Sequence, residues 1–256
     1  MPRFSANLSY LFKEYNFLDR LHVARDNGFK GVECQFPYTE NLKKLEKVVL
    51  LNKLDFVQIN APAGDFFKGE RGIAGIPDRS DEFRKSIMDA IMFAENLGCR
   101  RIHIMAGIKP NDLSRQAFIG VLIENLKIAG DLCANKDIKI LIEPINSLAI
   151  PCYGIQNLKE AKEIILEAKI ENLYLQYDLY HGCMNQENLL TSITDNIDII
   201  AHMQIAGVPE RREPNTGSVD FYPVFKQIDD LGYDHWVGCE YTPATSTLAG
   251  LNWLQF

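Results

Sequence analysis

The chain has 256 residues, 46% hydrophobic and 24% charged, a balance ordinary for a globular protein and unlike a disordered or low-complexity one. Its formal net charge of −7 argues against the clustered basic face that phosphate-backbone binders carry, so no nucleic-acid partner is expected. No run reaches the roughly 18 apolar residues of a membrane span, the start MPRFSANLSYLFKEYN lacks a signal-peptide core, and the six cysteines stand singly without a CxxC pair, so a soluble cytoplasmic protein with reduced thiols is expected.

Taken in chain order, short β-rich runs alternate with amphipathic ones. RFSANL (3–8) is the first strand candidate, and a helix after it is closed by Gly28 following ARDN. GVECQF (31–36) and FVQINA (56–61) follow. Next comes a glycine-rich insertion, PAGDFFKGERGIAGIPDRS (62–80). It lacks the GKS or GKT ending of a P-loop and reads equally as a surface Ω-loop or as a lid.

Ser80 before the acidic pair Asp81-Glu82 marks a helix start, with Gly98 after AENL at its end. RIHIMA (101–106) leads into LSRQAFIGVLIENLKIAGDLCANK (113–136), where Leu122, Leu126, Ala129 and Cys133 share one helical face. KILIEP (139–144) ends in Glu143 and is cut by Pro144; Asn157 with Glu160 then forms a capping-box-like pair. LYLQYD (173–178), IAHMQIA (200–206) and WVGCEY (236–241) complete the strands. The apolar end LAGLNWLQF reads either as a last helix on its own barrel or as a homo-oligomer contact.

Eight βα units over this length predict a single domain, residues 1–256, folded as a (β/α)8 TIM barrel, with a doubly wound open sheet as the fallback. Strand parity supports it, because alternate side chains point to opposite faces. One parity is apolar (Ala6, Val32, Ile59, Ile102, Ile140, Leu175, Met203, Val237) and suits a helix layer. The other reads Ser5, Asn7; Glu33, Gln35; Gln58, Asn60; His103; Glu143; Gln176, Asp178; His202, Gln204; Glu240, and concentrates toward the C-terminal strand ends, where barrel active sites are built.

Four of these strand ends carry inward oxygen donors: Glu143, Asp178, Gln204 and Glu240. Converging carboxylates capture a proton or require a cation. Three carboxylates and an amide suit a divalent ion, and all-oxygen ligation favours Mg²⁺ or Mn²⁺. His181 and His202 are further ligand or substrate-contact candidates, or hydrogen-bonded core histidines. Two glutamates flanking such an ion are suited to carrying a proton between adjacent carbons of a hydroxycarbonyl substrate.

RFSANLSYLF, FPY (36–38), PAGDFFKGERGIA (62–74), LIEPIN (141–146), QYDLYH (176–181), HMQIA (202–206), REPNTG (212–217) and WVGCEY together resemble the hydroxypyruvate isomerase family of the xylose-isomerase-like barrels, in order along nearly the whole chain. The resemblance implies interconversion of hydroxypyruvate and 2-hydroxy-3-oxopropanoate (tartronate semialdehyde). It implies Glu143 and Glu240 as the proton-transferring pair, and metal ligation by Glu143, Asp178, Gln204 and Glu240. The substrate carboxylate then needs a cation, with Arg211 the first candidate and Arg71 the second; His181 is a further substrate contact.

The chain departs from the family where EPGTGE reads EPNTGS, with Asn215 for glycine and Ser218 for glutamate, so an altered loop conformation is expected there. Three other readings stay open. A ketose 3-epimerase on the same barrel would carry a histidine in place of Gln204. An endonuclease-like relative would need a histidine-rich zinc site and a basic groove, against five histidines and a charge of −7. A non-catalytic barrel is the third, since fold alone does not fix function.

Overall fold

The computed structural model describes residues 1–254. Its elements are β1 (Arg3–Asn7), α1 (Phe17–Asp26), β2 (Gly31–Cys34), α2 (Leu42–Asn52), β3 (Asp55–Asn60), α3 (Ser80–Leu97), β4 (Arg101–His103), α4 (Arg115–Cys133), β5 (Lys139–Ile142), α5 (Leu158–Ala168), β6 (Leu173–Asp178), α6 (Leu179–Met184), α7 (Leu189–Thr194), β7 (Ile200–Ile205), α8 (Tyr222–Asp230), β8 (Trp236–Cys239) and α9 (Thr247–Gly250). The strands follow one another from β1 to β8 in a closed barrel, the expected (β/α)8 fold. The open-sheet fallback is thereby set aside.

The chain divides into two compact units, one formed by Met1–Gln58 with the chain from Tyr177 on, the other by Ile59–Gln176. In the first, β1 pairs in parallel with both β2 and β8, and β7 pairs with β8. The register sets Asn7 opposite Glu33, and sets both Ser5 and Gln204 opposite Gly238. The apolar parity (Ala6, Val32, Met203, Ile205, Val237, Cys239) is fully buried, as a helix-covered face requires. The polar parity is equally buried: Ser5, Asn7, Glu33, His202, Gln204 and Glu240. Trp253 packs edge-on against Phe4 at 5.1 Å and donates its indole N–H to the Tyr241 hydroxyl at 3.0 Å. Trp253 of LAGLNWLQF is thus used within the chain, while the last two residues of that stretch lie outside the described ones.

The second unit pairs β3 with β4, β4 with β5 and β5 with β6. On α4, Leu122, Leu126, Ala129 and Cys133 are fully buried on the predicted face, and Ser114 caps the helix by accepting from Ala117 N–H at 3.1 Å. Truncating Leu122 to alanine in such a face costs about 2–5 kcal/mol. At α5 the predicted pair forms: Asn157 Oδ1 accepts from Glu160 N–H at 3.0 Å, and Glu160 Oε2 accepts in return from Gln156 N–H at 2.8 Å.

The helix start expected at Ser80 is found: Ser80 is the first residue of α3, with Asp81 and Glu82 in the first turn, and the guanidinium of Arg79 just before it grips Glu82 at 2.7 Å and also pairs with Glu70. Several strands end early: β4 stops at His103 and β5 at Ile142, so Glu143 follows the last ladder residue, as Glu240 follows β8. The insertion 62–80 is partly ordered by its own backbone, with a 3₁₀ turn at Phe66–Lys68 and a bridge from Gly72 to Ala106. Gly72 lies at φ 109°, and a Cβ there would stand 2.1 Å from the Met105 carbonyl oxygen, so only glycine fits this crossing.

Candidate active site

In the first unit the inward polar residues form one buried network. Glu33, on β2, is fully buried, which is costly for a carboxylate unless donors surround it. Ser5 Oγ donates to its Oε2 at 2.7 Å, and the side-chain amides of Gln204 and Asn7 donate to its Oε1 at 2.8 and 3.1 Å. His202 Nε2 stands 3.0 Å from Oε2. Although burial alone would raise the Glu33 pKa, His202 and these donors hold it below the ordinary carboxylate value.

Glu240, just past β8, shares two of those donors. Gln204 Nε2 and Asn7 Nδ2 reach its Oε2 at 2.7 and 2.8 Å. Arg211 Nη2 donates to its Oε1 at 2.8 Å and to Asp178 Oδ2 at 3.0 Å. Burial first, then the neighbouring charges of Asp178 and Glu33, push the Glu240 carboxyl up to about 8 against the pull of Arg211. Asp178 ends β6, where its Oδ1 caps α6 by accepting from Tyr180 N–H at 2.9 Å, and its Oδ2 faces Arg211. His181 Nε2 stands 3.6 Å from that Oδ2; burial drives its pKa down to about 4, so the imidazole is neutral at pH 7.

The loop after β7 aims Arg211. Arg211 sits at φ 54°, a left-handed conformation that costs an L-residue about 1–2 kcal/mol. Gly207 N–H to Arg212 O at 2.8 Å and Thr242 N–H to Arg211 O at 2.9 Å hold it there. The guanidinium lies over Tyr180 at 5.0 Å and Tyr10 at 5.6 Å. Beyond it, buried Glu213 accepts from Ala244 N–H at 3.0 Å, while Ser218 N–H and Oγ both donate to Val208 O. Asn215 is exposed and absent from the left-handed residues, so the family's glycine is not required by the backbone at this turn.

In the second unit Glu143 is buried, and Gln176 Nε2 donates to its Oε2 at 3.0 Å. His103 Nε2 stands 3.5 Å from the same oxygen, and His103 Nδ1 meets Asn60 Oδ1 at 3.2 Å. Gln176 and Asp178 lie two residues apart on β6 and so share one side of that strand. Arg71 spends its guanidinium on its own loop: it donates to Phe66 O at 3.0 Å and Glu70 O at 2.7 Å, and stacks on the Phe66 ring at 4.0 Å.

Asp178, Gln204, Glu240, His181 and Arg211 therefore come together in one unit, with Glu143 in the other. Sequence reasoning missed Tyr10 and Tyr180, which flank Arg211. It saw Asn7 and Glu33 only as polar parity residues. Tyr10 lies inside RFSANLSYLF, and the nearby Glu240 charge, with burial, holds its phenol protonated well above the ordinary value.

A family model described as xylose isomerase-like TIM barrel matches residues 21–255. Hydroxypyruvate isomerase of Escherichia coli (strain K12) is 43% identical over 100% of this chain and 99% of its own length. 2-Oxo-tetronate isomerase of Cupriavidus necator is 40% identical, over 100% of this chain and 98% of its own. A crystal structure described as AP endonuclease, family 2, from Brucella melitensis superposes with a TM-score of 0.97 at 38% identity, covering 100% of this chain and 98% of that one. On this likeness, which runs the length of the chain and joins fold to sequence, the protein belongs to the xylose isomerase-like TIM barrel family and is an isomerase.

Proposed function

We propose that the chain isomerises hydroxypyruvate to 2-hydroxy-3-oxopropanoate, with Glu143 and Glu240 moving the proton and Glu143, Asp178, Gln204 and Glu240 holding a divalent metal, Mg²⁺ or Mn²⁺. The observation that carries the reading is the buried pair Asp178–Glu240, gathered on a single guanidinium, in a chain 43% identical to a hydroxypyruvate isomerase. The whole chain is taken as one domain, and its six free cysteines agree with a reducing, cytoplasmic setting.

The donor set fits a hard cation. Glu143, Asp178 and His181 are the carboxylate and imidazole donors from which such sites are made. Gln204 commits both amide hydrogens to Glu33 and Glu240, so its carbonyl oxygen is the end that would ligate a cation. When bound, the metal would polarise the substrate's 2-oxo group and the adjacent hydroxyl.

The remaining work falls to side chains. Arg211, between aromatic faces, is placed to take the substrate carboxylate in a charge-assisted pair. One glutamate removes the C3 proton, leaving an enediolate, and the other delivers a proton to C2; the C3 hydroxyl proton passes to the C2 oxygen, so atoms balance. Glu240, pushed up to about 8 by burial and its carboxylate neighbours in the metal-free protein, is a carboxyl that exchanges a proton near neutral pH. His181, neutral at pH 7, is suited to hydrogen-bonding a substrate hydroxyl.

A second reading has its own support: the four-carbon acid named by the 40% identical relative poses the same proton transfer beside a 2-oxo acid. The ketose 3-epimerase alternative is weakened by Gln204. An endonuclease reading has against it the net charge of −7 and five histidines. Incubating the purified protein with Mn²⁺ and hydroxypyruvate, 2-oxo-tetronate or a ketohexose, and following each by proton NMR, tests the assignment. Turnover of hydroxypyruvate is expected; turnover of one of the others without it overturns the reading.

A further inference from the structure

We propose that Glu33 is a positioning residue for the reaction: by taking one amide hydrogen each from Gln204 and Asn7, it fixes which end of Gln204 faces the metal and where the Glu240 carboxylate is held. The inference rests on the metal reading above and extends it to a residue that neither the ligand set nor the proton-transferring pair includes.

An amide nitrogen has two hydrogens and its oxygen has none. Gln204 Nε2 lies 2.8 Å from Glu33 Oε1 and 2.7 Å from Glu240 Oε2, which uses both. Asn7 Nδ2 repeats the pattern at 3.1 and 2.8 Å, and its Oδ1 accepts from Ser9 N–H at 3.0 Å, which fixes that amide's orientation independently. Two carboxylates thus clamp two amides. Remove the Glu33 acceptor and Gln204 can rotate about its last torsion, presenting nitrogen where oxygen is needed.

The fold also makes room for this carboxylate. Gly238, opposite both Ser5 and Gln204 in the sheet, has no left-handed φ that would demand glycine. A Cβ on it would stand 2.3 and 2.4 Å from the two Glu33 oxygens. Glycine is there for space, and the space is filled by Glu33. Ser5 and His202 occupy the other oxygen, so Glu33 Oε1 is left to the two bridging amides. Glu33 reaches the reaction only through its neighbours.

Glu33→Gln can keep its oxygen toward the two amides and turn its own N–H₂ toward Ser5, so it preserves their orientation without the charge. Glu33→Met fills the same volume without an acceptor. The test titrates Mn²⁺ into the metal-free wild type and both variants by calorimetry, with kcat and KM for hydroxypyruvate and a thermal melt alongside. Glu33→Met should bind Mn²⁺ about 10–100-fold more weakly and lose kcat with KM changed less than about threefold, the range seen when groups supporting metal ligands are removed. Glu33→Gln should return the Mn²⁺ affinity to within about threefold of wild type.

Wild-type Mn²⁺ affinity in Glu33→Met overturns the proposal, as does Glu33→Gln binding as weakly as Glu33→Met. A wild type that takes up no Mn²⁺ overturns the metal reading, and this inference with it. Should Glu33→Met not fold, Gly238→Ala pushes on the same carboxylate from the facing strand. Weakened Mn²⁺ binding is then expected, and unchanged binding overturns the proposal.

Discussion

Glu33 and Glu240 lie in the same unit, both buried and joined through the same two amides, yet they are driven in opposite directions. Glu33 collects Ser5 and His202 in addition and is held ionised below the ordinary range. Glu240 faces Asp178 and Glu33, with one guanidinium to offset them, and is pushed up to about 8. Burial is common to both, so burial does not decide the outcome. What decides it is whether the neighbours are donors or further carboxylates. The first arrangement makes a fixed anchor; the second makes a group that can bind a cation or carry a proton.

The largest expected effect breaks the contrast at its reactive end. Glu240→Gln should lower kcat by about 10³-fold or more, roughly 4 kcal/mol in the barrier, with an unchanged far-ultraviolet circular dichroism spectrum. Near-wild-type turnover would remove Glu240 from the chemistry.

Next is Arg211, which donates to both Asp178 and Glu240. Arg211→Leu should raise KM for hydroxypyruvate by about 10–100-fold through loss of a charge-assisted pair, measured by steady-state kinetics. A change confined to kcat would deny it the carboxylate-binding role.

The contrast predicts stability against pH as well. Glu33 is depressed, so its contribution is present above the unfolded carboxyl value, about 4.3, and is lost as pH falls through its folded value below that. Glu240 is raised, so in metal-free protein its contribution is complete below about 4.3 and is lost as pH rises toward about 8. Urea unfolding from pH 3 to 9 with a chelator present should show both slopes. Glu33→Gln should flatten the acid one and Glu240→Gln the neutral one; slopes unchanged in the two variants would contradict the assignment.

The smallest effect lies in the other unit. Asn157→Ala removes the α5 cap and should cost about 1 kcal/mol in urea unfolding with kcat unaffected.

Much of the frame was legible because barrel strands obey period two: β6 was read to the residue, and the polar parity named every inward group of the network. The end of β4 was read too long because the apolar pattern continues past the last ladder pair: Ile104 and Met105 are buried though outside β4. Glu33 was visible as polar and inward but not as a clamp. Its role depends on which amides two other strands bring to it, a tertiary fact without a local signature. Arg211 was ranked ahead of Arg71 as the cation for the substrate carboxylate, but both were read only as loop arginines. Their long side chains reach different destinations, and the left-handed backbone that aims Arg211 leaves no mark in residue type.

The central claim is that a divalent ion belongs among Glu143, Asp178, Gln204 and Glu240. Anomalous scattering from crystals grown with Mn²⁺ tests it most directly. The account predicts one strong peak within ligation distance of those four side chains, with the Gln204 oxygen turned toward it. A peak elsewhere, or none at saturating Mn²⁺, would contradict it.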